Sequence, residues 1–146
     1  MVHTFNYRVW EKSVDYSMIA EWWMGHGWPS IEYDKLPKTG IIVENNKNPL
    51  VAGFLYMTDT NMCMPHWIVA NPDISISDLK PAMKTLFDAF EREALRADKP
   101  ILWTSCGTRS MIAQFKRAGY NVGDSAAVHL QMDLRPKRYN GGSYGN

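Results

Sequence analysis

No glycine stands between Gly53 and Gly107. Loops that wrap phosphates with closely approaching backbone amides depend on glycine, and the chain accordingly contains no Walker-type loop; GxSxG is absent as well. Cysteine is almost absent too. Cys63 and Cys106 both lie in apolar, strand-like surroundings, which gives no disulfide framework and no paired-cysteine metal site. The histidines His3, His26, His66 and His129 are scattered, with no spacing that brings two onto one helix face, so no metal is expected. Net charge is small: sixteen Lys and Arg against fifteen Asp and Glu leave +1, which provides no global field for nucleic acid or anionic lipid. No apolar run approaches membrane-spanning length, and MVHTFNYRVW lacks a basic-then-apolar signal pattern. The expectation is a cytoplasmic protein with reduced thiols.

What is present is enough for one core. A chain of 146 residues, 45% hydrophobic, has the size of a single domain, expected over residues 1–134, with a mobile basic tail over residues 135–146. Arg135, Lys137 and Arg138 in that tail read as solvated cations. The centre of the chain runs from Met62 to Ala97. MCMPHWIVA is apolar on both faces apart from His66, as suits a central strand. In DLKPAMKTLFDAFEREALRA, residues Leu79, Ala82, Met83, Leu86, Phe90 and Ala94 recur at helical spacing. Asp78 is the expected N-cap, which places Pro81 in the first turn.

Around this centre the pattern predicts a strand near Phe5 to Val9 and a short helix capped by Ser13 that stops at GHGWP. Trp22, Trp23, Trp28 and Tyr33 then crowd into one connector, at least half of them expected as core and the rest as a cleft wall. TGIIVENNKNP, LVAGFLYMTDTN and MCMPHWIVAN read as an antiparallel meander whose ladder must be disrupted beside Pro65, by a bulge or a splay. PILWTSC is a further strand, TRSMIAQFKRAG a helix closed by Gly119, and SAAVHLQMDL a last strand. Leu86, Phe90, Ile68, Leu102 and Ile112 are the expected core.

The resulting order, β-α-β-β-β-α-β-α-β in an α/β domain with a splayed central sheet, resembles the GNAT acetyltransferase superfamily over residues 3–134. A central strand entering a long helix, and TRSMIAQFKRAGY, are the local patterns that carry the resemblance. The spacing around NPDISISDLKPAM is also similar to that of small acetyltransferase-like proteins of tailed bacteriophages, which would make the location a host cytoplasm. The resemblance implies acetyl-CoA as co-substrate and acetyl transfer to a small amine or a protein amine. Its pantetheine arm would pair with backbone between His66–Ala70, including Ile68 and Val69, and Leu102–Ser105. Its pyrophosphate would sit on Ile74, Ser75, Ile76, Ser77 and Lys80. Thr104 and Phe115 complete the expected cofactor contacts. A homodimer is left open, and no membrane or nucleic-acid partner is expected.

Two features depart from the family pattern: the missing glycines, with Asp78 where a pyrophosphate would bind, and Phe115 at a position often held by a proton-donating Tyr. They favour a rival reading, a GNAT-derived protein-binding module without catalysis. His66, with Glu44 facing it from the hairpin, is the candidate base for an acceptor amine; a lone histidine in an apolar strand also serves as a hydrogen-bonded core residue. Ser105 lies at the expected acyl position, where Ser105 and Thr104 have the alternative of bonding nearby backbone. Cys106 before Gly107 offers a thiol at a helix start, with no pattern pairing it to a base.

Overall fold

The computed structural model describes residues 4–135; His3 and the tail expected beyond Arg135 lie outside the described residues. Strand β1 (Phe5–Val9) leads into helix α1 (Lys12–Gly25). A 3-10 turn at Tyr33–Lys35 precedes β2 (Gly40–Asn45), β3 (Asn48–Met57) and β4 (Met62–Ala70). Helix α2 (Ile76–Arg96), a short β5 (Ile101–Leu102) and helix α3 (Arg109–Arg117) follow. Among the described residues the five strands form one sheet in chain order, antiparallel except for the parallel pair β4 and β5.

Side chains alternate across the sheet and build a core on each face. Leu86 and Phe90 of α2 pack with Val43, Val51 and Leu55 on one side; Trp22 and Trp23 of α1 pack with Ile42, Phe54 and Val69 on the other. Of the connector aromatics, Trp22 and Trp23 are therefore core, whereas Trp28 and Tyr33 are exposed. Ile68, Leu102 and Ile112, expected to be buried, are only half-buried, because all three lie toward the thin edge where β5 ends.

Helix starts differ from expectation for a visible reason. Glu11, not Ser13, is the N-cap of α1, and its side chain does not cap. Instead Asp15 reaches back to accept the Glu11 N–H at 2.7 Å while receiving two bonds from Arg8, which also donates to Glu44 at 3.1 Å. Ser75, not Asp78, caps α2, accepting the Asp78 N–H at 3.2 Å. Pro81 then falls in the second turn, where it leaves the Ser77 carbonyl without its helical donor. Helix α3 ends as expected: Gly119 takes φ +105°, Gly119 N–H bonds Lys116 and Tyr120 N–H bonds Phe115, a Schellman closure sealed by the Phe115 and Tyr120 rings at 4.9 Å.

The predicted last strand is not formed. No strand follows α3 among the described residues, and Val128, Leu130 and Met132 of SAAVHLQMDL are exposed. Alternation permits a strand, but pairing requires an edge, and a two-residue β5 presents almost none.

Candidate active site

The ladder between β4 and β5 stops at a residue that cannot continue it. Ile101 N–H donates to Asn61 and Trp103 N–H to the Cys63 carbonyl at 3.0 Å. The next donor from β4 in a parallel ladder is the N–H of residue 65, and proline has none. Beyond Cys63 and Leu102 the strands have no further pair. The Pro65 carbonyl accepts the Thr104 hydroxyl at 2.5 Å instead. Pro65 costs nothing on its other side, since Leu55 opposite it turns its own N–H away to Thr39.

The bulge itself lies two residues further on. Ala52 pairs with Val69 and Phe54 with His66, so Gly53 faces both Trp67 and Ile68. A Cβ on Gly53 would meet Phe90 Cζ at 2.5 Å, which is why glycine stands there. Trp67 is held at φ +55°, a conformation that costs a side-chain-bearing residue about 1–2 kcal/mol. Its indole N–H is anchored on the Tyr56 hydroxyl at 2.8 Å, and Tyr56 donates to the Lys35 carbonyl at 2.7 Å. The connector after α1 closes the end of the slot. His26 Nε2 lies 2.8 Å from the Ala70 carbonyl, with Trp28 stacked on its ring.

His66 stands at the bulge, half-buried, with the Trp67 ring 4.2 Å and the His129 ring 6.3 Å away. Burial lowers its pKa below the ordinary imidazole value, and the charge of His129 lowers it further. Glu44 does not face it. Glu44 is held by Arg8, four residues along β2 from Gly40, the residue level with Phe54 and His66.

On the far side of the gap, Thr104, Ser105 and Cys106 are half-buried at the turn from β5 to α3. Ser105 Oγ lies 2.5 Å from His129 Nε2. Burial pushes the Cys106 thiol up, opposite to the activation a helix start could have provided. These residues open into a cavity of about 790 Å³ walled by Leu102, Ile112, Phe115 and Tyr120. Phe115 itself is buried against Phe87 and Tyr120, each ring 4.9 Å away. The Tyr120 hydroxyl is buried without a partner among the described residues, and its pKa is raised by burial.

The expected phosphate residues gather at the start of α2. The amides of Ile76 and Ser77 are among the four that a helix start leaves unpaired, and Ser75 Oγ and Ser77 Oγ lie 3.1 Å apart. Lys80 is exposed one turn on, but Asp78 sits in the same first turn and the Ile76 side chain is 95% exposed. No group of His, Cys, Asp and Glu among the described residues is placed to hold a metal. No described helix is long and apolar enough to cross a membrane.

His129, Tyr56 and Tyr120 stand at the candidate site without having been singled out from the sequence, whereas Trp67 falls within the expected span His66–Ala70. The alternation in SAAVHLQMDL, which sets His129 opposite Val128 and Leu130, was the signal available for the first of them.

No family model and no curated protein matches the sequence. Solved structures match the fold. The ribosomal-protein-S18-alanine N-acetyltransferase of Escherichia coli aligns at TM-score 0.61 with 14% identity, over 83% of this chain and 80% of that one. Aminoglycoside N-acetyltransferase AAC(6')-Iy, solved with CoA, aligns at 0.64 with 11% identity over 90% and 97%. A Salmonella typhimurium protein assigned as an acetyltransferase, solved with acetyl-CoA, aligns at 0.63 with 14% identity over 88% and 87%. The curled five-stranded mixed sheet with three helices is thus the GNAT fold.

Proposed function

We propose that this chain is an acetyl-CoA-dependent N-acetyltransferase acting on an amine. The observation that carries this reading is the parting of β4 from β5 at Pro65, which leaves strand backbone unpaired above the start of a long helix. The pantetheine arm fits that gap along Ile68, Val69 and Ala70, with Thr104 across from them. One of those groups is already engaged, since the Ala70 carbonyl is bound by His26. The amides of Ile76 and Ser77, the hydroxyls of Ser75 and Ser77, and Lys80 would hold the pyrophosphate, weakened by Asp78.

Acetyl-CoA supplies an acetyl group activated as a thioester. His66 takes the proton that the acceptor ammonium must lose, and its lowered pKa keeps the ring neutral and able to accept at pH 7. Glu44 has no part in this, being engaged by Arg8. The cavity wall of Leu102, Ile112 and Phe115 excludes water from one side of the acyl position. The acceptor is a small amine or a protein amine, and exposed Trp28, Tyr33 and Trp67 offer flat apolar surface for it. The spacing around NPDISISDLKPAM supports a place beside the acetyltransferase-like proteins of tailed bacteriophages, hence a host cytoplasm.

The test is whether acetyl-CoA raises the melting temperature in proportion to the logarithm of its concentration, as a ligand of the folded state alone does. Release of free CoA thiol with a panel of amines then reads turnover. Absence of binding by calorimetry, in both the parent and an Asp78→Asn variant, would remove the acetyl-CoA reading and favour the protein-binding module.

A further inference from the structure

We propose that Ser105 is a nucleophile that carries the acetyl group as an ester between donor and amine, with His129 as its base. A serine hydroxyl is a weak nucleophile until a base stands within hydrogen-bond reach, and Ser105 Oγ lies 2.5 Å from His129 Nε2. Ser105 lies three residues beyond β5, in the turn into α3, next to Thr104, which is pinned to the Pro65 carbonyl. Cys106 and Gly107 follow directly and are among the residues lining the same cavity, and no backbone carbonyl of the described residues accepts from their amides. They are the donors available to the oxygen that becomes negative when a carbonyl is attacked. The His66 ring, 6.3 Å from that of His129, brings a second base to the same place.

In the first half, the Ser105 Oγ–H proton moves to His129 Nε2 as Oγ bonds to the acetyl carbon. The carbon–sulfur bond breaks, and the leaving thiolate takes the proton back from His129. In the second half, His66 accepts the extra proton of the acceptor ammonium and the free amine bonds to the acetyl carbon. His129 takes a proton from that nitrogen and returns it to Ser105 Oγ as the carbon–oxygen bond breaks. The products are the amide and the original serine. The identity of the donor rests on the acetyl-CoA reading above, whereas the nucleophile does not.

The experiment mixes the full chain, without amine, with acetyl-CoA in one arm and p-nitrophenyl acetate in the other, quenches in acid, and locates the acetyl group by peptide mass. Expected are one acetyl group on the peptide containing Ser105 and a matching burst of p-nitrophenolate. Ser105→Ala should abolish both, and His129→Gln should slow the burst by about 100-fold or more. His129 is exposed, so His129→Gln tests the pair even where a change at Ser105 disturbs folding. Label on Cys106 or on a lysine with none on Ser105, or an unchanged burst in Ser105→Ala, overturns the proposal. Label on Ser105 from the ester alone, with no acetyl-CoA binding by calorimetry, upholds the nucleophile and removes the donor. Turnover with bound acetyl-CoA and no Ser105 ester from either reagent removes the nucleophile and leaves the donor.

Discussion

Thr104 donates its hydroxyl to the carbonyl of Pro65 at 2.5 Å, at the point where β4 and β5 part. The contact substitutes for the strand-to-strand bond that Pro65 ends, and it holds the two sides of the gap at a fixed distance without closing it. The shape of the candidate site thus depends on a missing backbone hydrogen.

Restoring that hydrogen is the direct check. Pro65→Ala supplies an N–H that can donate to the Trp103 carbonyl and extend the ladder into the gap. One hydrogen bond contributes about 0.5–1.5 kcal/mol, and loss of the proline ring frees the unfolded chain by about 0.4–1 kcal/mol. Pro65 is also fully buried, and trimming its ring removes two methylenes at about 0.8 kcal/mol each, so the variant should be destabilised by about 0.5–2 kcal/mol. Acetyl-CoA binding should weaken, and hydrogen exchange should show a protected amide at position 65. Unchanged affinity together with a protected amide would mean that the gap is not the cofactor slot.

Asp78 places a negative charge in the first turn of α2, where a pyrophosphate is proposed to sit. Since Ser75 is the cap, Asp78→Asn leaves the capping bond to the residue 78 N–H in place. Binding of CoA should tighten, and the gain should shrink as salt is raised. Lys80→Ala should weaken binding. Calorimetry at two salt concentrations reads both, and a gain that is indifferent to salt would point to something other than charge.

Leu86 is fully buried between α2 and the sheet. Leu86→Ala should lower unfolding free energy by about 2–5 kcal/mol, as large-to-small changes in packed cores do. Denaturant titration checks this, and a loss under about 1 kcal/mol, within the range of surface changes, would show the face of α2 to be misassigned.

His66 gives a pH dependence whose sign is set by its lowered pKa. As a base it must be neutral, so kcat/KM should fall on the acid side with a midpoint below about 6.5, the ordinary imidazole value. The stability contribution follows the same direction: it is present above the unfolded value of about 6.5 and lost as pH falls through the folded one. His66→Gln should remove the acid limb. A limb that persists with the same midpoint would assign the base elsewhere.

Much of the fold was readable because its signals are local. The spacing of Ala82, Met83, Leu86 and Phe90 specifies a buried helix face within the helix itself, and Gly119 followed by Tyr120 carries its own closure. Pro65 announced a broken ladder for the same reason, since a missing N–H is a property of one residue. The start of α2 was misread by three residues because Ser75 and Asp78 are both good caps, and the choice fell to the segment arriving from β4.

The sequence by itself thus determined the helices, the first four strands, the apolar face of α2 and the point where pairing must fail, but not that SAAVHLQMDL stays unpaired. Only the tertiary structure decided which distant side chains meet. Glu44 was taken by Arg8, whose guanidinium also holds Asp15, rather than by His66. His129, 24 residues from Ser105, came to its hydroxyl because its own segment found no strand edge to pair with and lies instead along the cavity. Such meetings depend on which edge is left open and which partner binds first in space. Neither is encoded in the few neighbouring residues from which propensity and periodicity are read.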